Sequence, residues 1–367
     1  MKNYTFTLFA LLLLFGPALR AQEEVDVLIV EEEEEESSFE LSGYVDAYYQ
    51  ANFSNAEGTD EPLAFPTSFT PFTNTFGIGN VNLLAEKSFG KVSFVGQVGF
   101  GPRATQANGG DGNFSSTVQQ LYMTYSPSDA VTFTLGNFGT FVGYEVIDAS
   151  ANINYSTSYL FSNGPFFHTG AKVDVALGEN FGAMIGVFND TDTKIDEVEG
   201  KHIGAQLSGS AGGFSAYLNF LAGKDAELGD PDSNDDDNNE YQIDLTATYE
   251  VSDMLMFGLN ASSYNSVVDG DADGDGFNGL ALYSTIGVSE GFALGLRGEY
   301  FTAIAAEGDD SNQPSVLALT ASGNITVGDL RIIPEVRLDS GNNDFLFGES
   351  PEDDSVAAFI LAAVYSF

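Results

Sequence analysis

From Phe39 to Phe367 the connections between stretches of alternating apolar and polar residues are sorted by length. The short ones are Lys87-Ser88-Phe89-Gly90, Pro127-Ser128-Asp129, Gly178-Glu179-Asn180, Ala211-Gly212-Gly213, Val251-Ser252-Asp253, Ser289-Glu290-Gly291 and Val327-Gly328-Asp329. Long polar ones fall between them, near residues 54–72, 102–113, 141–165, 189–200, 225–239, 265–278, 305–314 and 341–354. The stretches they join have period 2. In the first, Phe39, Leu41, Val45, Ala47, Tyr49, Ala51 and Phe53 share one face, opposite Glu40, Ser42, Tyr44, Asp46, Tyr48, Gln50 and Asn52. Period 2 is strand geometry, and a two-sheet sandwich would show it as well. A sandwich, however, has no reason to sort its loops by length along the chain. A ring of strands closed across a bilayer does, because short turns gather at one rim and long loops at the other. Seven short turns and eight long loops join 16 strands, each roughly 9–14 residues against the roughly 9–11 that a tilted span needs. The expected fold is all-β: a transmembrane antiparallel up-and-down β-barrel over 39–367, with both chain ends at the short-turn rim. The second, seventh and twelfth strands are the weakest in pattern.

The last strand, Ser355 to Phe367, places Phe359, Leu361, Ala363, Tyr365 and Phe367 on one face and ends on an aromatic residue. Left at an open edge, such a strand would be an aggregation hazard; closure satisfies its backbone. The terminal phenylalanine resembles the C-terminal signature of bacterial outer-membrane barrels. At the other end, Lys2, the apolar run Phe6–Phe15 and the break at Gly16-Pro17-Ala18 read as a signal peptide over 1–21. That run is short for a helical span, which needs about 20 residues. Residues 22–38 contain six consecutive glutamates that repel one another, the pattern of an acidic periplasmic tether or, in a sharper reading, of a cation-binding or docking tail.

Charge narrows the partners. The chain has 54 acids against 12 bases, and removing Lys2 and Arg20 with the leader takes the formal net charge from −42 to −44. Nucleic acid is excluded as a partner, since phosphate binding needs a basic footprint. The absence of cysteine removes both a disulfide framework and a lipid-anchored mature N-terminus.

The tract Gly143-Tyr144-Glu145, Asn152-Ile153-Asn154-Tyr155-Ser156, Tyr159-Leu160-Phe161 and Gly164-Pro165-Phe166-Phe167-His168-Thr169-Gly170 resembles the OmpL-like β-barrel porins of Gram-negative bacteria. The opening Ser42-Gly43-Tyr44-Val45-Asp46-Ala47-Tyr48-Tyr49 resembles their first strand. The resemblance covers most of 39–367. It implies an outer-membrane porin fold, both termini periplasmic, with lipid, lipopolysaccharide and small hydrophilic solutes as partners and no catalytic motif.

Residues opposite the apolar stripe point into the ring. The strand bases Lys91, Lys172, Arg297, Arg331 and Arg337 all fall there, joined by Asp174, Asp244, Glu299, Glu335 and Asp339. Charges on the lipid side would cost roughly 2–4 kcal/mol each at the bilayer midplane, so their agreement in phase supports the assignment. A ring of about 16 strands with both signs inside is expected to hold water. The 141–165 loop is long enough to fold inward. Its Glu145 and Asp148 would then face Lys172, Arg297, Glu299, Arg331, Glu335 and Arg337, a constriction whose transverse field filters small solutes. The plainer reading is that these bases pair with wall acids and prop the barrel.

A second acidic loop has oxygen donors at Asp269, Asp271, Asp273 and Asp275, with Gly274 where a calcium loop turns. Leu280 stands where such a loop would need its bidentate glutamate, and strands flank it, so an EF-hand is excluded and a looser Ca2+ loop is what survives. Asp230, Asp232 and Asp235–Asp237 form a less ordered run. No cofactor is required. Catalysis would rest on His168 near Ser156, Ser158 and Ser162, with no motif framing them. The rival class is a plugged structural or surface-interaction barrel whose acidic loops bind calcium or a partner. Barrels of this size often form trimers, which makes a homotrimer one candidate assembly, but the lipid-facing stripe carries no interface signature and leaves the oligomeric state open.

Overall fold

The computed structural model describes residues 39–53, 67–70, 72–109, 114–195, 200–224, 239–267, 276–304, 313–341 and 355–367. The leader, the glutamate tether, and both Asp230–Asp237 and Asp269–Asp275 lie outside the described residues. Sixteen strands follow in chain order. The first eight are β1 (Phe39–Asn52), β2 (Thr75–Phe89), β3 (Val92–Phe100), β4 (Val118–Ser128), β5 (Val131–Gly139), β6 (Phe167–Ala176), β7 (Phe181–Phe188) and β8 (His202–Ala211). The rest are β9 (Phe214–Lys224), β10 (Asn239–Ser252), β11 (Leu255–Val267), β12 (Gly276–Ser289), β13 (Phe292–Ile304), β14 (Ser315–Val327), β15 (Leu330–Gly341) and β16 (Ser355–Ser366). Each pairs antiparallel with its neighbours in sequence, and β1 pairs with β16 to close the ring. Closure is completed by reciprocal backbone bonds, Gly43 N to Phe367 O at 2.9 Å and Phe367 N to Gly43 O at 3.0 Å.

The apolar stripe is on the outside, as the alternation implies. On β16, Leu361 is 43% exposed while its neighbour Ile360 is fully buried. Short turns occupy the expected places. Between β8 and β9 the turn is Gly212-Gly213, with φ of 55° and 83°, the left-handed pair that a two-residue hairpin needs and glycine adopts without strain. The turn between β2 and β3 comes slightly later than expected, at Gly90-Lys91. Lys91 therefore sits in the turn rather than on the inner wall, and its Nζ donates to Pro127 O at 2.7 Å near the end of β4. The weak pattern of β2 has a physical source. The ladder to β1 slips between Val45 and Ala47, so Gly79 and Asn80 are both buried and Asn80 N donates to Asp46 Oδ1 at 2.7 Å.

The inner face is less uniformly polar than a water-filled ring would require. Val356, Ala358, Ile360, Ala362 and Val364 of β16 point inward and are buried, beside Ala318 and Val316 of β14. They are apolar because they are covered by protein: the β5–β6 connection packs on them through Ala149, Tyr155, Tyr159 and Leu160. Among the described residues the long connections also carry two short α-helices, α1 (Pro102–Ala107) and α2 (Tyr159–Asn163), that the period-2 pattern does not foretell.

Candidate functional site

The connection between β5 and β6, residues 140–166, is a compact loop with a closed neck, where Thr140 N donates to Phe166 O at 3.1 Å. It braces itself. Asn152 bonds both the N–H and the carbonyl of Val146. Ser158 caps α2 by accepting from Phe161 N at 3.0 Å. Glu145 in turn accepts from Ser158 N and Ser158 Oγ at 2.7 and 2.8 Å.

This loop reaches inward-facing side chains on much of the ring. Glu335 of β15 accepts from two consecutive backbone amides, Tyr155 N at 2.7 Å and Ser156 N at 3.0 Å. Glu299 of β13 grips Tyr159 N at 2.9 Å and Leu160 N at 2.8 Å in the same way. Arg297 binds Glu145 Oε1 at 2.6 Å and donates to Ser156 O at 2.7 Å. Arg337 donates to Thr157 O at 2.9 Å and pairs with Asp339 at 2.8 Å. Arg331 donates to Ala149 O. Across the ring, Asp148 accepts from Tyr44 of β1, Gln97 of β3 and Gln119 of β4. Gly143 N donates to Asp244 of β10 at 3.0 Å.

The structure therefore brings Glu145, Asp148, Arg297, Glu299, Arg331, Glu335 and Arg337 together around one loop, and leaves Lys172 apart. Arg297 and Arg337 are each only 2% exposed. Their charges are spent on the loop's carbonyls and on Glu145 and Asp339, so they act as fasteners rather than as a bare basic wall. Lys172 lies on β6 nearer the short-turn rim, 3.0 Å from Asp174, where the Asp174 side chain keeps 33% exposure. Glu86 on β2 and Tyr122 on β4 are further partly exposed inward positions.

Sequence reasoning missed Arg103 and Phe69. Arg103, on α1, is 1% exposed, donates to Ile147 O at 3.1 Å and lies 4.4 Å above the Phe69 ring. Burial opposes its charge, but Tyr155 and Asp46 outweigh burial. Phe69 packs against Phe161 and Phe166, while Ser68 N donates to Ser162 Oγ at 2.9 Å. Parts of the β1–β2 and β3–β4 connections thus lie on the β5–β6 loop. A lone base in the otherwise base-free 102–113 stretch was the available signal. Within the loop, burial pushes the Tyr144 hydroxyl up to about 12, with Glu145 adding to it.

Beside the loop's exit a cavity of about 320 Å³ remains, lined by Asn163, Pro165, Asp192, Leu221, Glu240 and Gln242 among others. It separates the end of the loop from β9, β10 and β11. Asp192 borders it and accepts from Phe166 N and Phe167 N at 2.7 and 2.9 Å. Burial pushes the Asp192 carboxyl up to about 7, against the pull of those two amides. His168 meets Thr140 Oγ1 at 2.9 Å and lies between Phe141 and Phe188, while Ser156, Ser158 and Ser162 bond within the loop and to Arg297.

A family model described as beta-barrel porin-2, OmpL-like, matches residues 38–367. Among solved structures the chain is similar to an anion-selective porin from Comamonas acidovorans, at 13% identity and TM-score 0.60 over 90% of this chain and 100% of that one. It is similar to the outer membrane channel DcaP of Acinetobacter baumannii at 17% and 0.57, over 90% and 97%. It is also similar to OmpT, an outer membrane protein of Vibrio cholerae, at 13% and 0.57 over 90% and 98%. OmpT has also been solved in a trimer form. At these identities the likeness is one of fold. No curated protein matches the sequence.

Proposed function

This chain belongs to the OmpL-like beta-barrel porin-2 family of the outer membrane, and on that premise we propose that it is a passive diffusion channel for small hydrophilic solutes or ions. The observation that carries this reading is the loop at 140–166, fastened to the wall by Glu299, Glu335, Arg297 and Arg337 while a cavity of about 320 Å³ separates its exit from β9–β11. A loop held this way narrows the ring without a separate plug domain, and solute passes on the β9–β11 side. Selection then acts through size and through the acids bordering that side, Asp192 and Glu240, rather than through exposed arginines. The short-turn rim and both termini face the periplasm, and three copies assemble side by side. Reconstitution into planar bilayers tests the channel: stable conductance steps are expected, and a folded barrel that stays silent overturns it.

One observation favours a second reading, the plugged surface-interaction barrel. The inward face of β16 and the Val316–Ala318 end of β14 are apolar and sealed, and the first and second long connections add Phe69 and Arg103 to the filling. In that case the acidic outer loops, with Asp269, Asp271, Asp273 and Asp275 as a Ca2+ loop, bind a cation or partner. Silence in bilayers together with submillimolar calcium heat in titration calorimetry would select this reading; conductance with no such heat would discard it.

A further inference from the structure

Apart from the loop network, a second cluster lies at the long-loop rim. Among the described residues, Asp190, His202 and Glu240 each bring a ligating atom to within 4.8 Å of the others. They come from three elements: the β7–β8 connection, the first residue of β8 and the second residue of β10. The imidazole must cross β9 to reach β10, and Gly223 leaves the way clear. A Cβ there would stand 2.4 Å from His202 Cδ2. Tyr264 holds Glu240 Oε2 at 2.5 Å, turning Oε1 onto His202 Nε2. The other ring nitrogen, Nδ1, is buried, makes no hydrogen bond of good geometry and stands 3.8 Å from Asp190 Oδ1, which also accepts from Thr191 N at 2.6 Å. The Asn189 carbonyl lies beside the ring as a further oxygen donor. His202 as a whole is 1% exposed.

A carboxylate on one imidazole nitrogen with the second nitrogen left free is how ligating histidines are oriented. The gap between Nδ1 and Asp190 is too long for a hydrogen bond. With metal–ligand lengths of about 2.0–2.2 Å, two donors of one ion can stand nearly that far apart. We propose that His202 and Asp190 bind a divalent transition-metal ion of the Zn2+ class, with Glu240 fixing the ring and water from the adjoining cavity completing the shell. Imidazole nitrogen selects such ions over Ca2+ and Mg2+, which the acidic loops attract by charge alone. The bound ion ties down the β7–β8 connection, whose Asp192 holds the neck of the inward loop.

The test uses the full-length folded barrel, stripped with chelator and titrated with Co2+ and Zn2+ in millimolar Mg2+ and Ca2+, which saturate oxygen-only sites. One equivalent should bind, with a visible Co2+ absorption band that Zn2+ displaces. Asp190→Asn and His202→Gln should abolish the band. Gly223→Ala, which removes no ligand, should weaken binding, and Glu240→Gln should weaken it by about tenfold to a hundredfold. Asp190 sits in a connection, so its variant keeps the test valid where a strand variant misfolds; heat-modified gel mobility reports folding. If the wild-type barrel takes up no equivalent, or if folded Asp190→Asn and His202→Gln bind as wild type does, the cluster is an imidazolium held between two carboxylates and the proposal fails.

Discussion

The two wall carboxylates that hold the inward loop make the sharpest prediction. Glu335 accepts Tyr155 N, Ser156 N and Ser322 Oγ, all between 2.7 and 3.0 Å, and all of them are buried. In Glu335→Gln one of the two oxygens becomes an amide nitrogen, so one backbone N–H faces a donor. A buried donor left unsatisfied costs about 1–3 kcal/mol, and about 2 kcal/mol is a fair central figure. Since 1.4 kcal/mol is tenfold in an equilibrium, the released fraction of the loop should rise about 30-fold. Glu299→Gln removes the equivalent grip on Tyr159 N and Leu160 N. The double variant should then lose about 4 kcal/mol of docking, roughly a thousandfold, if the two grips act independently. In single-channel recordings the single variants should show more frequent excursions to a higher conductance, and the double variant should dwell there. The barrel itself should stay folded, because neither carboxylate contributes to the strand ladders through its side chain. A folded double variant with the wild-type conductance histogram would refute the claim that these acids hold a channel-narrowing loop.

Three further outcomes follow from the same structure. Arg297→Ala leaves Glu145 buried without its cation, a loss of about 3–5 kcal/mol, and should change conductance and selectivity together; unchanged recordings from Arg297→Ala and Arg337→Ala would dispose of the constriction. Leu361→Arg puts a charge on the outer stripe of β16 and should cost about 2–4 kcal/mol of barrel stability in urea unfolding, whereas an unmoved midpoint would contradict the lipid-facing assignment. Deleting Phe367 removes the reciprocal bonds to Gly43 that finish the β1–β16 seam, and should lower the folded fraction on heat-modified gels; wild-type yield would show that the seam closes without them.

The periodic half of this molecule was legible without coordinates. Strand parity follows from covalent geometry, since successive side chains point to opposite faces, and one buried stripe fixes which face is which. Turn positions follow from glycines with positive φ, such as Gly212 and Gly328. Hence the strands, the seven short turns and the inward phase of Arg297, Arg331 and Arg337 could be read from residue order. Lys91 went astray because a two-residue turn shifted by one position moves a residue off the wall.

What fills the ring could not be read that way. The partners of Arg297 in the loop lie about 140 to 150 positions away in the chain, and no local pattern links Glu335 to Tyr155 N. The inner stripe of β16, Val356 to Val364, looks the same in sequence whether it meets water or protein. Only the arrival of Tyr155 and Tyr159 against β15 and β16 decides that this side is sealed, while a cavity among the described residues lies toward β9–β11. Residue order set the wall, because alternation is local. What fills it was decided by contacts between distant segments, which only the closed ring brings together.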